Sequence, residues 1–315
     1  MKRPGIVFLD ANTLGEVTGY HQLTRLGNLT VYQTTLPAQR IDRIKGKEIV
    51  ITNKVIINRE VLVACPSVKL ICIAATGMNN VDLEFAAESG IQVRNVAGYS
   101  TESVVQHTFS MLFYLMGNLT YYDRYVKDGH YASSGLFTHH GRPFHELAGS
   151  NYGIIGMGTI GRRVAATATS FGAAVLYHST TGRNSDSGYP SVSLHELLDG
   201  SDVISIHCPL TDETRNLIGY NEIRKMRKNA YLLNLGRGGI INETQLAQAL
   251  EEGLLAGVAL DVLEKEPPEA SNPLFKISRP EKLLITPHIA WASCESRNRL
   301  MAGIIRNISE YLENK

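Results

Sequence analysis

Three polar residues stand directly after apolar, strand-like runs in the last third of the chain. Arg237 follows "AYLLNLG", between Gly236 and Gly238; Glu264 and Glu266 follow "AGVALDV"; His288 follows "KLLIT" and Pro287. A fixed guanidinium can hold a carboxylate in two parallel hydrogen bonds. A histidine can deliver or remove a proton near neutral pH, and a nearby carboxylate favours the imidazolium and orients its ring. In an open parallel sheet, ligands bind outside the carboxyl ends of the strands. Taken singly, each residue has a bland explanation, either a solvated arginine in a glycine loop or a Pro-His turn. Their shared placement is harder to dismiss.

A second pattern concerns phosphate. "GIIGMGTIG" places Gly156, Gly158 and Gly161 as GxGxxG, directly after an apolar strand and at the start of a helix. The first glycine permits a tight turn, the second lets backbone approach a pyrophosphate, and the third lets helix pack on strand. Free N–H groups at a helix start suit an anion. Such a turn also arises for packing alone; the strand–turn–helix context is what points to a dinucleotide. An acid that bonds the ribose of NAD is expected about 20 residues on, at the end of the next strand. The corresponding stretch, "VLYHSTTGR", has Ser179 instead, followed by Thr180, Thr181 and Arg183. Neutral hydroxyls would not repel a 2′-phosphate, and Arg183 could pair with one. Equally, Arg183 could be a solvated loop residue with NAD held by hydroxyls alone, or Asp186 could swing back. The residues themselves leave both NAD and NADP open.

These groups need a scaffold. "GIVFLD", "EIVIT", "VKLICIAA" and "IQVRNV" read as strands covered on both faces, with short helices at "NREVLVACP" and "NVDLEFAAESG". A buried helix is expected from about Thr101 to Leu115, followed by an irregular, aromatic linker or subunit-contact arm, "YYDRYVKDGHYASSGLFTHHGRPFHELAGSN". From Tyr152, six further strand runs alternate with helices, and a last helix is expected from about Ser293 to Leu312. Alternation of this kind implies parallel sheets of βαβ units. Two such sheets create a cleft, the usual place for a ligand.

Composition narrows the classes. The chain has 315 residues, enough for two domains, with 43% hydrophobic and 19% charged residues, as in soluble globular proteins. A formal net charge of +1 gives no electrostatic case for nucleic acid or an anionic membrane. No apolar run reaches the roughly 18 residues of a membrane span. "MKRPGIVFLD" reads as a short strand rather than a signal peptide, so a cytoplasmic protein is expected. Cys65, Cys72, Cys208 and Cys294 form no CxxC pair, which argues against a disulfide framework and a zinc ribbon. His139, His140 and His145 cluster without further ligands at metal spacing and read as a solvated or substrate-facing loop, so no metal is expected.

With these features in place, the sequence resembles the NAD(P)-dependent D-2-hydroxyacid dehydrogenases over nearly its whole length. The resemblance is carried by "ATGMNNVD", "GIIGMGTIGRRVA", "HCPLTDETRNLIG", "LLNLGRGGIINE", "ALDVLEKEPP" and "TPHIAWAS", and looks most like the glycerate dehydrogenase (hydroxypyruvate reductase) branch. It implies a Rossmann cofactor domain (101–288) inserted into a flavodoxin-like substrate domain (1–100 and 289–315), both doubly wound parallel sheets. Further implications are a small 2-oxo or 2-hydroxy acid substrate, NAD or NADP as cofactor, and a homodimer. Arg237 should hold the substrate, and His288, paired with Glu266 rather than Glu264, should be the acid/base. Thr76 and Gly77 should meet the substrate carboxylate through backbone N–H groups. Cofactor contacts are implied for Val104, Gly156, Gly158, Thr159, Ile160, Gly161, Ser179, Pro209, Thr214, Leu235, Gly236 and Asp261. Two rivals share the scaffold. One is an NAD(H)-sensing, corepressor-like interaction protein, since such relatives can retain the Arg–Glu–His set. The other is formate dehydrogenase, which needs no protonating pair and against which Glu266 argues.

Overall fold

The computed structural model of the protein describes residues 3–315; Met1 and Lys2, the start of the basic N-terminal stretch, lie outside them. The described chain divides into two compact units, one made of residues 3–100 and 291–315, the other of 101–290.

The first unit carries five parallel strands: β1 (Gly5–Phe8), β2 (Asn28–Val31), β3 (Ile49–Thr52), β4 (Leu70–Ile73) and β5 (Gln92–Arg94), in the order β2-β1-β3-β4-β5. Every residue of β3 and β4 is buried, because helices cover both faces. Side chains therefore alternate between two cores: Ile6, Phe8, Leu70 and Cys72 face one, and Val7, Leu9, Ile71 and Ile73 the other. Between the strands run α1 (Tyr20–Leu26), α2 (Arg40–Ile44), α3 (Arg59–Ala64) and α4 (Leu83–Glu88). The starts of α3 and α4 are set by Asn58 and Asp82, whose side chains accept from Val61 N and Phe85 N. Strand β2 was not expected from the sequence: "NLTV" is short, half polar and lies at the sheet edge.

Asp10 holds the end of β1 to the loop after β3. Its carboxylate, 4% exposed, accepts from the backbone N–H of Asn53 at 2.9 Å, Lys54 at 2.7 Å and Val55 at 3.3 Å. Asp10→Ala should leave these buried donors unpaired and cost about 2–4 kcal/mol. Urea unfolding is the check, and an unchanged midpoint would mean that water replaces the carboxylate.

The second unit begins with α5 (Thr101–Met116), buried along most of its length. The aromatic segment after it is more regular than the sequence suggested, containing α6 (Leu119–Lys127) and α7 (His130–Ser133). Left-handed residues at Asn118 (φ 49°) and Gly129 (φ 80°) separate these short helices from one another and from α5. His139 in this segment stacks on Tyr125, with ring centroids 3.7 Å apart, and its Nε2 lies 2.7 Å from the Tyr121 hydroxyl.

Six parallel strands follow: β6 (Asn151–Ile155), β7 (Ala174–His178), β8 (Val203–Ile206), β9 (Tyr231–Asn234), β10 (Gly257–Leu260) and β11 (Leu283–Ile285). Their order is β11-β10-β9-β8-β6-β7, and a parallel bridge from Ser191 to Tyr177 extends the sheet beyond β7. Helices α8 (Thr159–Ser170), α9 (Leu194–Gly200), α10 (Tyr220–Ile223) and α11 (Glu243–Glu251) connect them. The strand order turns back between β6 and β8, which is the switch point where doubly wound sheets bind ligands. The chain then returns to the first unit as α12 (Cys294–Glu313), where Leu300, Met301, Ile304 and Ile308 enter the core against β1 and β4. Among the described residues, no helix is long and apolar enough to cross a membrane.

Candidate functional site

The glycine turn leaves β6 at the switch point. Gly156 has φ 98°, and a Cβ there would lie 2.6 Å from Cys208 N, so only glycine fits both conformation and space. A Cβ on Gly161 would lie 2.2 Å from Gly156 O, which is the close helix–strand approach the motif needs. At Gly158 a Cβ would meet nothing within 4 Å; this face of the turn is open. Gly158 also caps α8 without any side-chain hydrogen bond, so no side chain competes for the N–H groups of the first helical turn. Strained turn, tight helix contact, open face and unoccupied donors together fit a dinucleotide pyrophosphate.

Arg237, Glu266 and His288 follow β9, β10 and β11, which are adjacent and parallel, so all three emerge at the same end of one sheet. Arg237 is exposed; Nη1 donates to Gly236 O at 2.9 Å, and the guanidinium forms no ion pair with any described residue. Glu266 Oε2 lies 2.7 Å from His288 Nδ1, while Oε1 accepts from Leu263 N at 3.0 Å. This assigns the histidine's partner to Glu266; Glu264 instead donates its backbone N–H to Glu243 Oε1 at 2.5 Å. With Nδ1 engaged by the carboxylate, the ring's other nitrogen is the one left for proton exchange. The arginine and glutamate loops also touch: a Cβ on Gly238 would lie 1.8 Å from Leu263 O.

Asp261 sits beneath His288. It is 1% exposed, and its carboxylate accepts from Ile289 N at 2.9 Å, Ala290 N at 2.8 Å and Thr286 Oγ1 at 2.6 Å. Its own carbonyl accepts from His288 N at 2.8 Å. These bonds hold His288 at φ 56°, a left-handed conformation unusual for a residue with a side chain. The family resemblance implies a carboxylate near the cofactor; its oxygens accept from the backbone and the Thr286 hydroxyl of the loop that carries His288. Asn234, not singled out from the sequence, does similar work for Arg237: Nδ2 donates to Arg237 O at 2.8 Å and Oδ1 accepts from Gly236 N at 3.0 Å. The available signal was a polar residue at the end of an apolar strand, three before the arginine. His107 was also missed; its Nε2 lies 3.1 Å from Thr286 Oγ1.

The remaining candidates are distributed as follows. Ser179 is half-buried directly after β7, whose last carbonyl, that of His178, accepts from Gly156 N at 2.9 Å. Thr159 and Ile160 open α8. Val104 is buried on α5, and Leu235 and Gly236 lead into Arg237. Thr214 is 2% exposed, and its hydroxyl is used inside its own loop, donating to Pro209 O at 2.8 Å and accepting from Thr211 N at 2.7 Å. Thr76 and Gly77 lie in the other unit, in the loop after β4, where Asn95 Nδ2 donates to Thr76 O at 2.6 Å.

His207, just past β8, has a buried Nδ1 without a hydrogen-bond partner among the described residues, while Nε2 lies 3.0 Å from Ser205 Oγ. Burial pushes its pKa from 6.5 down to about 4. The unfolded chain therefore takes up this proton first, and stability is lost as pH falls from about 6.5 towards 4. Unfolding in urea should cost about 2 kcal/mol less at about pH 5 than at pH 7 on this account. His207→Gln should remove most of that difference; a variant with the full acid sensitivity would place its origin elsewhere.

A glycine turn of this kind at a switch point, with three polar strand ends beside it, defines a nucleotide-dependent α/β enzyme. Comparison with known proteins makes the class specific. Residues 109–290 match the family described as D-isomer specific 2-hydroxyacid dehydrogenase, NAD binding domain. A putative 2-hydroxyacid dehydrogenase of Haemophilus influenzae is 40% identical over 313 residues, covering 98% of each chain. A glycerate dehydrogenase of Methylorubrum extorquens is 34% identical over 311 residues, covering 98% of this chain and 96% of its own. A solved D-lactate dehydrogenase of Aquifex aeolicus, complexed with NAD and lactic acid, superposes with a TM-score of 0.84 at 27% identity, covering 98% and 96%. The chain belongs to the D-isomer specific 2-hydroxyacid dehydrogenase family and is an NAD(P)-dependent oxidoreductase.

Proposed function

We propose that the protein reduces a small 2-oxo acid of the hydroxypyruvate or glyoxylate type to the D-2-hydroxy acid. The observation that carries this reading is the 2.7 Å contact between Glu266 and His288, at the same sheet end as an arginine with no ion-pair partner among the described residues. The relative named glycerate dehydrogenase supports the substrate class. Bound nicotinamide supplies or accepts the hydride. Arg237 binds the substrate carboxylate and carbonyl in its guanidinium fork. His288, charged and oriented by Glu266, donates a proton from Nε2 to the carbonyl oxygen; in the reverse direction the neutral ring takes it back. Backbone N–H groups at Thr76 and Gly77 meet the carboxylate. Val104, Leu235, Gly236, Pro209, Thr214 and Asp261 belong to the surroundings of the cofactor, the last through the loop it anchors.

Assays of NADH and NADPH oxidation against a panel of 2-oxo acids test the proposal. Hydroxypyruvate and glyoxylate should be among the best substrates. Nucleotide binding with no turnover of any oxo acid would remove the enzyme assignment and favour a sensing role. A homodimer belongs to the same reading, supported by exposed Leu136, Phe137 and Phe144 in the segment after α7. A monomeric mass by sedimentation would remove that part.

A further inference from the structure

We propose that His107 is a positioning residue for the acid/base histidine, acting through Thr286 on the loop of residues 286–290; the role rests on the reading of His288 as proton donor. Helix α5 meets that loop at both of its ends. Ser103 Oγ donates to Ala290 O at 2.6 Å, and His107 Nε2 lies 3.1 Å from Thr286 Oγ1. Ser103 and His107 are about one helical turn apart, so both project from the same face of α5. Thr286 and Ala290 flank His288 at equal distance along the chain. The stretch that carries the acid is therefore tied to the helix at each foot.

The tie at Thr286 has a fixed polarity. A threonine hydroxyl has a single proton, and the shortest contact, 2.6 Å to Asp261 Oδ1, takes it. Toward His107 the same oxygen is an acceptor, so Nε2 carries the donating proton there. The imidazole N–H thus orients the threonine hydroxyl, and the hydroxyl satisfies the buried carboxylate. That carboxylate in turn holds Ile289 N at 2.9 Å and Ala290 N at 2.8 Å. Without the N–H, the hydroxyl can turn to Met111 Sδ, which lies 3.8 Å away on the next turn of α5. Asp261 then loses a donor, and the loop loses one of its feet. His288 sits at φ 56°, a conformation that persists only while its surroundings over-determine it. Slack here moves the imidazole off its line, and a displacement of about 1 Å costs on the order of 100-fold in rate. The plain alternative is a half-buried histidine that only fills space. It makes side-chain volume decisive, not the N–H.

The test sets a donor against a filler in the full chain. His107→Leu fills the space without an N–H, whereas His107→Gln returns an amide N–H close to the position of Nε2. His107→Leu should lower kcat for hydroxypyruvate or glyoxylate reduction by about 10–100-fold, with KM moving less than about twofold. His107→Gln should recover kcat to within about threefold of the unaltered protein. Adding His107→Leu to Thr286→Val should cost less than about twofold beyond Thr286→Val alone, because both break one chain of bonds. Amide exchange in the peptide spanning residues 286–290, followed by mass spectrometry, should quicken in His107→Leu and stay slow in His107→Gln. Unchanged kcat in the leucine variant, equal losses in the leucine and glutamine variants, or additive losses with Thr286→Val would overturn the proposal. So would faster exchange with kcat intact, since the tie would then not place the acid. A leucine variant that does not fold would overturn it too, by making the ring part of the fold. No turnover of any 2-oxo acid by the unaltered protein, or full turnover by His288→Gln, would instead remove the proton-donor reading on which the role rests. The exchange difference is read without turnover, which keeps the two failures apart.

Discussion

His288→Gln is expected to lower kcat for 2-oxo acid reduction by about 10²–10⁴-fold, the range that a positioned general acid contributes. Glutamine keeps much of the volume and can still bond Glu266, but it has no proton to transfer at the position of Nε2. The backbone should survive the change. Residue 288 is held through its N–H to Asp261 O and through Asp261 bonds to residues 289 and 290, none of which uses the imidazole. Thermal unfolding should therefore stay close to that of the unaltered protein, separating lost chemistry from lost fold. Full turnover by the glutamine variant would remove His288 from the mechanism.

Arg237→Ala is expected to reduce kcat/KM by about 10²–10³-fold, the loss of two charge-assisted hydrogen bonds to a carboxylate. Most of this should appear in KM, because the carboxylate is held alike before and during reaction. A smaller part should appear in kcat, where the guanidinium also meets the carbonyl oxygen. The side chain is exposed and its only hydrogen bond among the described residues is to the neighbouring Gly236 carbonyl, so truncation leaves no buried partner stranded. Arg237→Lys should recover only part of the loss, since an ammonium cannot reproduce the planar fork. Unchanged KM for every oxo acid would show that the substrate carboxylate is bound elsewhere.

The long-range logic of the second unit was legible because its strands are apolar on both faces and end in turn residues. All six runs read from the sequence correspond to strands, and Glu266 Oε2 lies 2.7 Å from His288 Nδ1. What escaped reading has physical causes. Edge strand β2 buries little, so "NLTV" carries no strong apolar pattern. The aromatic segment hides α6 and α7 because each is too short for its periodicity to stand out. Spacing shows that a carboxylate is near a site, but not which way it faces. Asp261, Asp186 and Thr214 all spend their polar atoms on the protein itself, and only three-dimensional geometry reveals it.

The bond between Asp261 and the loop of residues 286–290 separates what residue 288 is from where it is. Exchange of the side chain at 288 alters reactivity on an unchanged path. A change at 261 lets the path itself drift while the reactive group stays intact. Kinetics alone would score both as loss of a catalytic residue. Yet the second defect is one of precision, which a ligand that clamps the loop would mask and heating would amplify. Sequence change in such a protein is therefore asymmetric: new chemistry at 288 is accessible one substitution at a time, provided the buried acid beneath it stays.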